Sequence, residues 1–135
     1  MSNVRDFGAI GDGRADDTEA IQHAIDEGVG LVEFPRGNYR LTRTLQVDLA
    51  RVGRTGLDGA GGSAKLVMAG PGPALSLKGT HAQTADPGGF RPEEWQKERM
   101  PIVADLEIEG RHPQADGIRI VGVMQPTLKG VLIRE

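Results

Sequence analysis

The chain of 135 residues contains no cysteine. Disulfides, thiolate nucleophiles and Cys-based zinc sites are therefore excluded. Aromatic residues make up only 4%, namely Phe7, Phe34, Phe90, Tyr39 and Trp95, so small aliphatic and β-branched side chains must fill the core. Charge of either sign is not in excess: 16 basic against 19 acidic residues leave a net charge of −3. With no basic run, the sequence offers no surface for tracking nucleic-acid phosphates. No apolar run approaches the roughly 20 residues that a membrane helix needs, and the start MSNVRDFGA lacks the charged-then-apolar pattern of a signal peptide. Neither nucleic acid nor a membrane is an expected partner.

What the chain does have is glycine, 20 residues of it, roughly double the usual share of about 7%. The glycines follow no every-third-residue repeat, which excludes collagen. Instead they punctuate short apolar segments. Near the N-terminus Asp16 and Glu19 form a capping-box pattern, Ala20, Ile21, Ala24 and Ile25 make one apolar stripe, and Gly28 stops it; the spacing predicts an amphipathic helix over 17–27. The preceding GAIGDGRADD reads as a turn-rich loop. After Gly30 the period becomes that of strands, with LVEF at 31–34, then Tyr39, Leu41, Leu45 and Val47. Apolar pairs then recur: Leu66 with Met68, Leu75 with Leu77, Leu106 with Ile108, Ile118 with Ile120, and Val131 with Ile133. The last three begin 12 and 13 residues apart, which suggests a repeat.

Strands of about four residues cannot stand alone. A propeller or sandwich also spaces short strands evenly, but those folds lean on aromatic signatures, and this chain has one tryptophan. The expected fold is an all-β solenoid, a right-handed single-stranded parallel β-helix. In that architecture each coil buries its inward side chains on the next, glycine makes the corners, and the N-terminal amphipathic helix serves as a cap on exposed edges. The expected organisation is a loop and capping helix over 1–30, first coils over 31–78, an inserted loop over 79–101 and further coils over 102–135. Within the insertion, Pro92 opens a predicted short helix through Arg99 that carries Trp95. The insertion reads equally as a functional loop or as packing decoration.

Three segments, DFGAIGDG at 6–13, DDTEAIQHAI at 16–25 and VEFPRGNYRL at 32–41, resemble the N-terminal region of the pectate-lyase-like superfamily of right-handed parallel β-helices. Its members include polygalacturonases and rhamnogalacturonases, pectin and alginate lyases, mannuronan C5-epimerases and phage tailspikes. TGLDGAGGSAKLVM at 55–68, VADLEIEG at 103–110 and DGIRIVG at 116–122 are similar to that family's later coils. The resemblance implies a polysaccharide partner and extracellular or cell-surface action. It names no single reaction, because lyases, hydrolases, epimerases and non-catalytic adhesins share these first coils. It also implies that the catalytic coils follow later. The sequence is thus expected to be the N-terminal portion of a longer solenoid, inactive by itself and able to self-associate through an open C-terminal edge. The function expected of the full length is a carbohydrate-active β-helix of lyase, hydrolase or epimerase type on acidic or complex polysaccharide, the alternative being a glycan-binding or structural solenoid.

Catalytic candidates come from charge alternation. Asp105, Glu107 and Glu109 alternate with Leu106 and Ile108, which places three carboxylates on one outward strand face. Such a row could act as acid and base, bind calcium, or be an ordinary solvated face. Asp12, Asp16, Asp17 and Glu19 are also dense enough to suggest calcium, yet they lack the D-x-D-x-D-G spacing; capping and turn formation explain them without a metal. His23, His81 and His112 share no ligand spacing. Tyr39 reads as packed rather than sugar-stacking, and Arg119 and Arg134 as outward residues able to hold uronate carboxylates bidentately or simply to face solvent. GAIGDG and GAGGSA lack the spacing of phosphate cradles.

Overall fold

Short strands return to the same three sides of the molecule, coil upon coil, in a computed structural model that describes residues 2–27, 30–52, 55–79, 102–121 and 127–134. The first coil comprises β1 (Ser2–Asn3), β2 (Asp12–Asp16) and the helix α1 (Thr18–Asp26). The second comprises β3 (Leu31–Glu33), β4 (Gly37–Leu41) and β5 (Leu45–Asp48), followed by one turn of helix, α2 (Leu49–Val52). The third has β6 (Gly56–Asp58), β7 (Ala64–Met68) and β8 (Gly72–Lys78), and the fourth β9 (Ile102–Ala104), β10 (Leu106–Gly110) and β11 (Ala115–Val121). A fifth begins with β12 (Thr127–Lys129) and β13 (Leu132–Arg134).

Stacking these coils makes three parallel sheets. The first runs β1-β3-β6-β9-β12, the second β2-β4-β7-β10-β13 and the third β5-β8-β11. Inward residues meet their equivalents one coil on, in register: Val32 on Leu57 on Val103 in the first sheet, Tyr39 on Leu66 on Ile108 in the second, and Leu45 on Leu75 on Ile118 in the third. The first two ladders are fully buried, and each side chain of this size removed from water contributes about 1.5–3 kcal/mol. The fold is the expected parallel β-helix. At the far end Leu128 and Ile133 continue the Val103 and Ile108 ladders, yet they are 48% and 51% exposed. Among the described residues, no helix is long and apolar enough to cross a membrane.

Several local expectations are corrected. The repeat is longer than the 12- and 13-residue spacing suggests: β3 and β6 start 25 residues apart, as do β9 and β12. The shorter spacing is the step between sides of one coil, because Leu106 belongs to the second sheet and Ile118 to the third. The turn-rich loop before the helix contains β2, whose irregular pairing with β4 joins Asp12 to Asn38 and Asp16 to Arg40. Its sequence DGRAD has no large apolar residue to announce a strand. Corner glycines are forced by close approach. A Cβ at Gly59 would run into the Asp105 carbonyl and one at Gly70 into that of Thr42.

Helix α1 begins at Thr18, with Asp17 as N-cap residue. It buries Ile21, Ala24 and Ile25 and packs against β5 and the short 3-10 turn Val4–Phe7. The capping box does not form. Glu19 instead meets Arg43 at 3.3 Å, and the Asp17 side chain makes no bond to the helix. The Gly28 stop lies outside the described residues.

Candidate functional site

The charged residues singled out in the sequence fall into three settings. In the first coil the acidic residues serve the backbone. Asp17 is buried, and its two carboxylate oxygens accept from the amides of Ile10 at 3.0 Å and Gly11 at 2.9 Å. Through these two bonds Asp17 fixes the DFGAIGDG loop rather than the helix start. Asp12 accepts from the amides of Arg14 and Ala15. Burial opposes ionisation of Asp16, but bonds from the Thr18 and Thr42 hydroxyls and the Thr18 amide hold its carboxyl below the usual range. From the other side Arg5 donates to the carbonyls of Ile10 and Arg36, both at 2.8 Å, and lies over the Tyr39 ring. Tyr39 is buried and donates to the Pro35 carbonyl at 2.5 Å. Protein donors occupy these carboxylates, and among the described residues no three His, Asp or Glu converge as metal ligands.

The second setting is the outward face of the second sheet. It brings Glu107 and Glu109 together but not Asp105. The expected row of three is corrected here: Asp105 lies in the corner before β10 with φ +58°, below Gly130, and a left-handed backbone does not continue the strand alternation. Glu107 and Glu109 are tied into ion pairs. Lys65 Nζ lies 3.8 Å from both, Arg111 Nε is 2.6 Å from Glu109, and Arg134 is 3.1 Å from Glu107. The Arg111 bond outweighs burial, and with Lys65 beside it the Glu109 carboxyl is held below the ordinary glutamate range. A group so held carries no proton to donate near neutrality, and its basicity is weakened.

The third setting is the outward face of the third sheet. Because Leu45, Val47, Leu75 and Leu77 point inward, alternation turns Gln46, Ser76 and Lys78 outward. Register then aligns Gln46 with Ser76 and Ser76 with Arg119. These residues, with Thr44, Pro73 and Val121, line a groove of about 330 Å³. It shares Pro73 and Arg119 with a second hollow of about 500 Å³ that reaches Asp116 and Ile133. Among the described residues Lys78 and Arg119 make no ion pair. The groove therefore presents two cations free of close ion pairs beside hydroxyl and amide groups, with Asp48 in register with Lys78 and Asp116 in the adjoining hollow. Sequence reasoning found Arg119 but missed Lys78, Ser76, Gln46 and Thr44. The alternation around Leu75 and Leu77 marks Ser76 as outward, but only the register between coils makes it Arg119's neighbour.

Other candidates take plain roles. His23 pairs with Glu27 at 3.2 Å and meets the Phe7 ring edge-on, and His112 Nδ1 accepts from the Gln114 amide. His81, Trp95 and the expected helix at 92–99 lie outside the described residues.

Residues 1–67 match the family described as rhamnogalacturonase A/epimerase, pectate lyase-like. Over 44 residues the chain is 57% identical to alginate lyase 7 of Azotobacter vinelandii, a match covering 30% of this chain and 5% of that protein. Mannuronan C5-epimerase AlgE4 of the same organism is 52% identical over 44 residues, covering 30% of this chain and 8% of the epimerase. The chain thus spans only a small part of the curated relatives it matches. Two solved structures share the fold. The AlgE4 A-module superposes on 100% of this chain and 38% of its own length, with a TM-score of 0.69 and 24% identity. Tailspike protein 3 of bacteriophage CBA120 covers 99% and 20%, with a TM-score of 0.73 and 15% identity. Taken with the stacked parallel coils and the N-terminal motif, these findings make the chain a member of the pectate-lyase-like superfamily of parallel β-helix proteins.

Proposed function

We propose that this chain forms the cap and first coils of a β-helix protein that acts on an acidic polysaccharide, and that the groove over the third sheet is the floor on which the glycan lies. The observation that carries the reading is the pair of cations, Lys78 and Arg119, which make no ion pair among the described residues and sit in a concave strip with Ser76 and Gln46. Guanidinium and ammonium groups bind carboxylates as fork and point charge, while hydroxyl and amide groups orient sugar hydroxyls. The likeness to an alginate lyase and a mannuronan C5-epimerase supports lysis or epimerisation, beside the rhamnogalacturonase of the matched family. In this reading α1 covers the N-terminal end, and the exposed Leu128 and Ile133 receive a further coil that completes the reacting centre. The described residues then supply binding and scaffold, so the 135-residue chain binds without turning substrate over.

The test pairs binding with product analysis. Calorimetric titration of the chain with polyuronate oligosaccharides should give saturable binding that weakens with salt. A protein extended by further coils should release unsaturated ends or change the uronate epimer ratio, with and without calcium. Saturable binding with no product from any extended form would favour a second reading, a glycan-binding solenoid without catalysis. The ion-paired state of Glu107 and Glu109 gives that alternative its physical support. Absence of polyuronate binding would overturn both.

A further inference from the structure

Beside the cationic groove lies a cleft of about 750 Å³ between α1 and the corner joining β4 to β5. The two share Thr44 and Gln46, so they lie on one track along the stacking axis. Side-chain bonds set the cleft's walls. Gln22 donates to the Asp26 carboxylate at 2.9 Å and to the Gln46 carbonyl at 2.8 Å, and accepts from the Gln46 amide at 2.9 Å. The Thr42 amide donates to Thr18 Oγ1, also at 2.9 Å. These bonds clamp the helix to the second coil, so a ligand meets a preorganised surface.

The chemistry of the cleft differs from that of the groove. Its cation, Arg43, is already engaged by Glu19, and His23 by Glu27. Asp26 adds a carboxylate to its α1 wall, which accepts from Gln22. The Thr44 hydroxyl and the Gln46 side-chain amide have no partner among the described residues, and Pro71 adds a small apolar surface. Hydroxyl and amide groups around an apolar patch suit an uncharged sugar, whereas a carboxylate there would have to compete with Glu19 for Arg43 and would lie near Asp26. The volume lies within the range of about 300–1,000 Å³ typical of small-ligand sites.

We propose that the α1 cleft is a subsite for uncharged sugar, so that the whole track selects a glycan carrying neutral residues toward α1 and an acidic residue toward Arg119. The proposal rests on the reading of the cationic groove given above and adds a direction and a composition to its ligand. One coil spacing of about 4.8 Å is close to the advance of one sugar along an extended glycan, so successive rings would lie over successive coils.

The test uses the whole 135-residue chain and three hexasaccharides: all uronate, all neutral, and mixed with neutral residues at one end. Calorimetry should rank the mixed oligosaccharide about fivefold or more above the all-uronate one, a difference of the size that one or two modest contacts supply. Titration with the mixed oligosaccharide followed by NMR should shift the Gln22 and Thr18 signals, which belong to the cleft alone, as well as those of Ser76 and Arg119. Glu19→Lys, an exposed change that leaves the Gln22 clamp intact, should erase the preference by raising all-uronate affinity. All-uronate binding equal to or tighter than mixed binding, or a preference untouched by both Glu19→Lys and Thr44→Val, would overturn the α1 subsite while leaving the cationic groove standing. Loss of binding to all three oligosaccharides would overturn the groove reading itself.

Discussion

The outward faces of the second and third sheets are made by the same coils and carry similar residues, yet they differ in what their charges do. On the second sheet Lys65, Arg111 and Arg134 are ion-paired with Glu107 and Glu109 across three coils. On the third, Lys78 and Arg119 make no ion pair among the described residues and border a hollow, with Asp48 across the ladder from Lys78 and Asp116 in the same hollow as Arg119. Charges paired within the fold stabilise it or set its register, whereas charge free of close ion pairs in a concave strip focuses potential on a ligand. Charge density by itself therefore does not mark a site in this protein. The more crowded face is the one whose charges are paired.

The sharpest way to break this contrast is a binding measurement. Replacing both Lys78 and Arg119 by alanine should weaken polyuronate binding by about tenfold or more, since a charge-assisted hydrogen bond contributes about 1.5–3 kcal/mol. Arg134→Ala, on the second sheet, should leave affinity within twofold. If calorimetry showed the reverse order, the glycan floor would belong to the second sheet.

A stability measurement should show the opposite pattern. Lys65 bridges two carboxylates with its side chain only 22% exposed. Lys65→Met removes the cation shared by Glu107 and Glu109, leaving each with one arginine partner, and should cost about 1 kcal/mol in urea unfolding, toward the upper end for exposed pairs. Lys78→Met should stay within about 0.5 kcal/mol of the parent, as exposed substitutions do.

Acid should sharpen the difference further. The folded state holds the Glu109 carboxyl below its ordinary range, chiefly through the Arg111 bond. The stability this supplies is complete above the unfolded value of about 4.3 and is lost as pH falls through the lowered folded value. The gap in unfolding midpoint between the parent and Glu109→Gln should thus be constant near neutrality and close below about pH 4. The gap for Lys78→Met should show no such closure.

How far these faces were legible in the sequence depends on whether the signal was local. Apolar pairs such as Leu66 with Met68 and Leu75 with Leu77 announced strands because inward side chains alternate within one strand. The stripe Ile21, Ala24, Ile25 announced α1 for the same reason at helical period. β2 was hidden because DGRAD buries no large side chain. Asp105 was placed on the strand face because its alternation with Leu106 continues one residue past the strand's start, and nothing in the sequence displays a φ of +58°. The state of each charge was not local. Lys65 and Arg134 come from the coils before and after β10, and the insertion between β8 and β9 disguises that spacing. Register decides which carboxylates are neutralised, and register is a property of the stack.

The smallest expected effect concerns the residues that looked most catalytic. Glu107→Gln and Glu109→Gln remove negative charge from the second sheet while keeping side-chain length and one carbonyl acceptor. If these carboxylates serve only the ion-pair ladder, glycan affinity of the chain should change by less than twofold, and any product formed by an extended protein should appear at an unchanged rate. A general acid would behave otherwise, since loss of such a group typically slows reaction by about 10²–10⁴-fold. The two outcomes differ by more than an unfolding artefact can mimic, provided thermal unfolding confirms that each variant is folded at the assay temperature. An unchanged rate in the Glu107 variant together with a lost one in the Glu109 variant would be equally decisive. It would mean that Arg111 releases Glu109 when glycan binds, and the second sheet would then share the reaction with the third.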